Sequence, residues 1–459
     1  MKEHKTYMEL VHLAVDQAIK QGADVAEAFV SNTQSVQINV SNRQAEQVNA
    51  YNEVGIGLRI LKEQKLIFGS SNDLSKESLK ILISDLLKKV KYHTVDEFNV
   101  IPEKDDNSLS KDWSTYSELL SYDPKIVEVP IQEKIQRAIR LETSALDFSP
   151  KVKSSLIVIY QDEISHIYLA NSNGISGWFP ISNCGGAIYV SASDGQDHQS
   201  GTYQQVKVKY DDFDPQEVGH KAAENAVKML GAKPIESCEI PMIVPPEVGT
   251  SLLSYIVSML SADRVQKGKS LFADKLNTAV AAGIVNIIDD GKLHGGIRTA
   301  PVDGEGIPRQ TTPLIVDGML KNYLYDSYTA KKGKVKSTGN RARGGYNRIG
   351  MIDSSNLYLK EGNGKPAEIF SVIDKGFYIK DAIGLHGGID ATSGDFSIPV
   401  AGFMIEKGEI SFPIRGISIG GNLFDLLKSI DKITNDLTWF GEVGAPTFSI
   451  SNIKIGGSS

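Results

Sequence analysis

Cysteine is scarce and long hydrophobic runs are missing. Two cysteines, Cys184 and Cys238, among 459 residues exclude a disulfide framework, and both read as small buried hydrophobes of a reducing compartment. The opening Met-Lys-Glu-His-Lys-Thr-Tyr has no apolar signal core, and runs such as Ala279 to Ile288 are far too short to span a bilayer. A cytoplasmic protein without a membrane partner is expected. Excess positive charge is absent too: the net charge of −7 argues against a broad nucleic-acid surface, which needs clustered Lys and Arg. No low-complexity tract or heptad repeat occurs. The eight histidines include no His-Glu-x-x-His or His-x-x-x-His pair, and His220 with Glu224, one helical turn apart, reads as a solvated helix face.

What is present is an ordinary globular composition, 41% hydrophobic and 23% charged, on a chain long enough for two or three domains. Apolar residues at helical spacing predict a helix from Tyr7 to Gln21, stopped at Gly22. Period-two runs then extend from Asp24 to Ser70, with apparent turns at Ser31-Asn-Thr, Asn42, Asn52-Glu and Lys62-Glu-Gln, which predicts an antiparallel meander. A helix follows from Lys76 to Lys91, and the stretch from Thr94 to Pro124 reads as a surface loop or linker. The order repeats with a helix from Pro130 to Leu146, strands at Ser154–Gln161, Ile164–Asn171, Ile175–Ile181 and Gly186–Ser193, and a helix from Pro215 to Leu230. Residues 1–232 are therefore expected to be one α+β domain of two similar halves.

From 233 to 459 the chain is glycine-rich and reads as a β-rich sheet or barrel. Hairpin turns are expected at Asp290-Gly291, Asp317-Gly318 and Lys407-Gly408. Val400 to Ile419 reads as one hairpin, with short helices at Ala367–Asp374 and Leu423–Asp431. The region opens on Val244-Pro-Pro-Glu-Val-Gly249. Pro246 suits a first helical position, and Val248, Leu252, Ile256 and Leu260 continue an apolar stripe that predicts one core-facing helix over 246–265, ended by Gly268.

Three constellations along the chain resemble chemical motifs. Gly268-Lys269-Ser270 lacks the upstream glycine of a phosphate loop, since Asp263 stands there. Gly416-Ile-Ser-Ile-Gly420 matches a nucleophile elbow, but no histidine follows it, and a strand with buried isoleucines accounts for it better. The third is basic: Lys331, Lys332, Lys334, Lys336, Arg341, Arg343 and Arg348 occur with no acidic residue among them. It reads either as a solvated loop or as a surface in which Ser337, Asn340, Arg341, Arg343 and Tyr346 present guanidinium forks and backbone amides to a peptide or carboxylate.

The Pro-Glu-Val-Gly opening, the long helix and the Lys-Gly-Lys-Ser exit resemble the TldD/PmbA family, first called modulators of DNA gyrase, in its PmbA (TldE) branch. Ser337-Thr-Gly339, His386-Gly-Gly-Ile-Asp-Ala-Thr-Ser-Gly-Asp-Phe396 and Gly420-Gly-Asn-Leu423 extend the resemblance. The charge offers the gyrase label no support. The TldD branch carries His-Glu-x-x-x-His on this helix, with the Glu as general base on a zinc site. Laid over this chain, the motif places Pro246 and Ser251 where the histidines stand and Glu247 at the glutamate. A Cys ligand near the C-terminus has no counterpart in Asn435-Asp-Leu-Thr-Trp-Phe-Gly-Glu-Val-Gly-Ala-Pro446. The resemblance implies no cofactor, no metal ligands and no catalytic residue, Glu247 being a general-base position without its metal. It further implies a non-metal subunit of a peptidase complex that hydrolyses unfolded peptides, partnered by a zinc-bearing TldD-like homologue, by itself, or by both. The alternatives are a stand-alone peptide-binding scaffold and, on the strength of Glu247 alone, a hydrolase with zinc-independent chemistry.

Overall fold

The computed structural model describes residues 2–104, 109 and 113–457. Helix α1 (Lys2–Lys20) is followed by β1 (Val25–Ser41), β2 (Gln44–Lys62), β3 (Lys65–Ser71) and α2 (Lys76–Lys89). After α3 (Lys125–Glu128), the same order recurs as α4 (Ile131–Leu146), β4 (Val152–Asn171), β5 (Ser176–Ser193), β6 (His198–Lys207) and α5 (Pro215–Lys228). The six strands form one antiparallel sheet in the order β3-β2-β1-β4-β5-β6, curved as a half-barrel.

The strands are longer than their patterns suggest. Ser31-Asn-Thr33 and Asn52-Glu53, expected as turns, continue through β1 and β2 in register, Asn32 opposite Val54 and Gln34 opposite Asn52. Their polar groups find partners across elements and need no turn: Thr33 Oγ1 lies 2.8 Å from Ser165 Oγ, and Asn32 Nδ2 donates to Glu3 Oε1 at 3.1 Å. In the second half, Ser154–Gln161 and Ile164–Asn171 merge into β4 because Asp162, between them, is buried against Lys134 of α4. Strand β6 has no counterpart in the sequence reading. Where it is described, the expected 94–124 loop carries only short 3-10 turns, α3 beginning just past it, and 105–108 and 110–112 lie outside the described residues.

Alternation along β1 explains the layering. Ala26, Ala28 and Val30 face a cluster built with α1 and α2, whereas Glu27, Phe29 and Ser31 face the opposite side. On that second side Phe29, Trp113, Leu169 and Phe179 pack against Ala300 and Val302 from beyond residue 232.

The chain from 229 to 237, where the expected boundary at 232 falls, carries no helix or named strand. Next come β7 (Cys238–Val244), α6 (Pro246–Met259), α7 (Ala262–Gln266), β8 (Ile287–Asp290), β9 (Thr311–Val316), β10 (Met319–Leu320) and α8 (Ser327–Gly333). The chain continues through β11 (Arg341–Ala342), β12 (Met351–Ile352), β13 (Leu357–Leu359), α9 (Pro366–Phe370), β14 (Lys375–Ala382) and α10 (Leu385–Gly388). It ends with β15 (Asp395–Glu406), β16 (Glu409–Asn422), α11 (Leu423–Lys428), β17 (Ile430–Ile433), β18 (Thr438–Phe440), β19 (Val443–Ala445) and β20 (Phe448–Gly456). Strands β16-β15-β14-β7-β20 close into a barrel through the β16–β20 pairing, and β10-β9-β8-β13-β19-β18 form a second sheet. The fold is α+β, and of the two β-rich forms expected for this region both occur.

Two expected turns stand as two-residue hairpins with left-handed backbone: Asp317-Gly318 (φ 49° and 74°) and Lys407-Gly408 (φ 53° and 83°). Asp290-Gly291 does not; β8 and β9 pair antiparallel across a twenty-residue excursion from 291 to 310. The helix expected over 246–265 is two helices. Leu324 separates them by accepting from Ala262 N–H at 2.9 Å and donating its own N–H to Leu260 O at 3.0 Å. Gly249 lets α6 approach the barrel, since a Cβ there would stand 3.1 Å from both Ala445 and Phe448.

A buried charge network joins the N-terminal sheet to the later chain. Glu27 and Arg59 face each other across β1 and β2 in a bidentate pair of 2.9 and 2.7 Å, Arg59 reaches Glu305 at 2.8 Å, and Arg343 pairs with Glu27. Burial raises the Glu27 carboxyl, but the Arg343 and Arg59 guanidiniums outweigh it and leave its pKa below the ordinary value. Burial likewise raises Glu305, and Arg59 with Arg341 holds it down to about 2. Beside this network Tyr346 lies on β2 where Gly55 and Gly57 bare the backbone; a Cβ at Gly57 would stand 2.2 Å from the Tyr346 carbonyl.

Candidate functional site

β7 runs out at Val244, and Pro245 with Pro246 turns the chain directly into α6, so the helix begins at the mouth of the barrel. No side chain caps this end. Glu247 stands in the first turn, where a carboxylate offsets the positive end of the helix dipole. A cleft of about 480 Å³ opens there, lined among others by Thr202 and Tyr203 of β6, Glu247, Ser251 and Ser254 of α6, and Lys380 of β14. Phe440 and Glu442 close it from the second sheet, and Tyr203 meets Phe440 edge-on at 5.7 Å between ring centroids. The cleft therefore lies where the two parts of the chain meet.

Lys380 decides its electrostatics. The β14–β15 pairing slips between Ile379 and Asp381, so Lys380 is the extra residue of a β-bulge, a device that re-aims a side chain. Its ammonium donates to Glu247 Oε2 at 2.6 Å while its side chain is only 11% exposed. Two hydroxyls and a carboxylate of the lining are also engaged. Ser251 and Ser254 hydroxyls donate to the helix carbonyls of Glu247 and Thr250 at 3.3 and 2.9 Å, and Glu442 pairs with Arg298 at 2.9 Å.

A zinc ion does not fit this donor set. A catalytic zinc needs three protein ligands at about 2.0–2.3 Å, yet the lining contains no imidazole or thiolate, and an ammonium already stands against the one helix carboxylate. Among the described residues no group of three or more His, Cys, Asp or Glu is placed to hold a metal. Glu247 thus stands in the first turn of α6 with a cationic partner. Replacing it by Gln is expected to cost about 1 kcal/mol, the scale of a charge at a helix N-terminus, with no change in any peptide hydrolysis by the isolated chain. Denaturation and a peptidase assay check both; abolished hydrolysis would make Glu247 a base after all.

The five residues expected to grip a peptide are not gathered at one cleft. Their stretch starts with a helix, α8, opened by an Asp326–Thr329 capping box and closed by Lys334 in left-handed conformation (φ 54°). Ser337 Oγ donates to Tyr325 O at 3.1 Å, and buried Asn340 donates to Asp289 at 2.7 Å. Burial pushes that Asp289 carboxyl up to about 6. The Arg343 side chain is 1% exposed on Glu27, and Tyr346 N–H donates to Ser31 Oγ at 3.2 Å. Arg341 borders a cavity, where it pairs with Asp326. The His386 side chain lies outside the described residues.

Lys380, Tyr203, Asp381 and Phe440 were not read from the sequence. One signal was there: Lys380-Asp381 interrupts the apolar strand Phe377 to Ala382 and breaks its alternation.

Descriptions of the PmbA/TldA metallopeptidases match this chain in three pieces: domain 1 over residues 26–89, the central domain over 124–230 and the C-terminal domain over 237–457. Metalloprotease PmbA of Escherichia coli O157:H7 is 25% identical over 464 residues, covering 99% of this chain and 97% of that protein. A metalloprotease TldD homologue of Buchnera aphidicola subsp. Schizaphis graminum is 33% identical over 199 residues, 43% of this chain and 41% of that one. Among solved structures, a putative modulator of a DNA gyrase from Thermotoga maritima shares the fold with a TM-score of 0.86 at 24% identity, covering 98% of this chain and all (100%) of the other. TldE of Thermococcus kodakarensis shares it at 0.85 and 20%, with the same coverage.

Proposed function

The chain belongs to the PmbA/TldD metallopeptidase family, and from that premise we propose that it is the non-metal subunit of a cytoplasmic peptidase complex. It supplies cleft walls and an assembly surface to a zinc-bearing TldD-like homologue, and the complex hydrolyses unfolded peptides. One observation carries this reading: an ammonium, Lys380 Nζ, pairs with Glu247 at 2.6 Å, at the residue that the family resemblance makes the general base. A cleft with that pair retains polar walls for a peptide and lacks ligands for a metal. Arg341 is the part of the basic stretch proposed to contact peptide, since it borders a cavity.

Mixing the purified chain with its zinc-bearing homologue tests the reading. Size-exclusion chromatography should show a stable hetero-oligomer, its activity on an unstructured peptide several-fold above that of the homologue alone. Metal analysis of the isolated chain should find far less than one zinc per chain. A tightly held zinc, lost together with activity on chelation, would overturn the proposal. Failure to assemble would leave the stand-alone peptide-binding scaffold as the better account.

A further inference from the structure

Helix α6 is buried along most of its surface, but Glu247, Ser251, Ser254 and Ser258 leave one line open along its length. The cleft at its start has a counterpart at its other end. This second cavity, about 500 Å³, is lined among others by Ser258, Ser261, Arg264, Arg341 and Met351. A shared wall joins the two: Arg298 pairs with Asp353 of the second cavity at 2.5 Å and with Glu442 of the first at 2.9 Å. A guanidinium is only a few ångströms wide, so these carboxylates are near neighbours and the cavities are two halves of one trough.

Charge is compensated along this trough except at its ends. Glu247 is paired with Lys380, Glu442 and Asp353 with Arg298, Asp326 with Arg341, and Asp263 with Lys267. Among the described residues, the exposed Asp381 carboxylate at the Glu247 end and the exposed Arg264 guanidinium at the other have no hydrogen bond or ion pair. Between them the hydroxyls of Ser251, Ser254 and Ser258 all donate to their own helix, at 3.3, 2.9 and 2.8 Å, which leaves oxygen lone pairs facing the trough as acceptors for N–H groups.

We propose that the trough binds an extended peptide in one direction, its basic or N-terminal end at Asp381 and its acidic or C-terminal end at Arg264. From Glu247 to Ser258 helix α6 advances about 17 Å at 1.5 Å per residue, which an extended chain covers in about five residues, and Arg264 lies beyond that end on α7. The inference rests on the reading of the cleft as a peptide cleft and adds polarity and length to it.

Calorimetric titration of the full-length chain with two blocked hexapeptides of one composition, Lys-Lys-Ala-Ala-Glu-Glu and Glu-Glu-Ala-Ala-Lys-Lys, tests the polarity. Equal net charge cancels any general attraction. The first peptide should bind at least about ten-fold more tightly, and exchanging the end charges by Asp381→Lys with Arg264→Glu, both at exposed positions, should invert the order. Equal affinities, the opposite order, binding of neither peptide, or a preference unmoved by the exchange would each overturn the proposal. A chain that assembles with the zinc-bearing homologue yet ignores peptide order loses the polarity alone. One that reads peptide order without assembling loses only the subunit reading.

Discussion

Arg343→Met is expected to lower the unfolding free energy by about 3–5 kcal/mol, the scale on which breaking a buried ion pair destabilises a protein. Glu27, Arg59 and the Arg343 side chain are each no more than 2% exposed, and Glu27 accepts from both arginines. Removing Arg343 leaves a carboxylate in a low dielectric with part of its compensation gone. It also frees the segment that carries Tyr346 onto Gly55 and Gly57 of β2. Urea denaturation of the variant measures the loss, and Glu27→Ala should do as much damage, because it strands the Arg343 guanidinium and leaves Arg59 with Glu305 alone. A loss under about 1 kcal/mol for both would mean that the network is hydrated and holds little. Arg341→Gln, at the rim of the second cavity, removes a guanidinium that is largely buried on Asp326, so it should lower stability as well as peptide binding.

Lys134→Ala is expected to be of similar size, about 3–5 kcal/mol near neutral pH, with a deficit that shrinks on acidification. Lys134 reaches from α4 into the core, 5% exposed, to Asp162 at 2.8 Å, and Tyr160 OH donates to the same carboxylate at 2.7 Å. Burial already raises the Asp162 pKa, and the Lys134 hydrogen bond is the foremost of the contacts that hold it back. Without the ammonium, folded Asp162 holds its proton to higher pH than the unfolded chain does. Stability relative to the parent is therefore largest below the unfolded carboxylate pKa and declines as pH rises through the folded one. Unfolding curves at pH 5 and pH 8 should show the larger difference at pH 8. A deficit independent of pH would assign the effect to lost packing. Replacing both partners by apolar residues should do less harm than the single change, since no charge is then left buried.

Lys134 also marks how far the sequence could be read. It falls on the apolar stripe of α4 with Ala138 and Leu141, four and seven residues on, and a lysine there already announces a buried partner. Its identity, Asp162, was hidden because the pair Asp162-Glu163 reads as a break between strands. The same polarity disguised β1 at Ser31-Asn-Thr33: short polar residues suit turns, and it takes the neighbouring strand, Glu3 of α1 and the docked Tyr346 segment to supply the partners that keep them extended. At the candidate site, Pro246, Glu247 and Ser251 were legible, and with them the lack of zinc ligands on the helix. Lys380 was not, because a bulge in β14, set by pairing with β15, turns it toward a carboxylate 133 residues away.

What the sequence by itself determined are features governed by neighbours within one or two turns of chain. These are the alternation and helical stripes that specify an α+β chain, the proline entry to α6, the left-handed turns at Asp317-Gly318 and Lys407-Gly408, and the absence of imidazole and thiolate where a metal would need them. Tertiary structure alone decided which charges are buried and against what. Arg343 looked like a free fork in a basic stretch, but it became a core residue because Glu27 and Arg59 of a distant hairpin provide the compensation that makes its burial tolerable. Desolvation and pairing energies depend on atoms brought together from far apart in the chain, so no local pattern contains them.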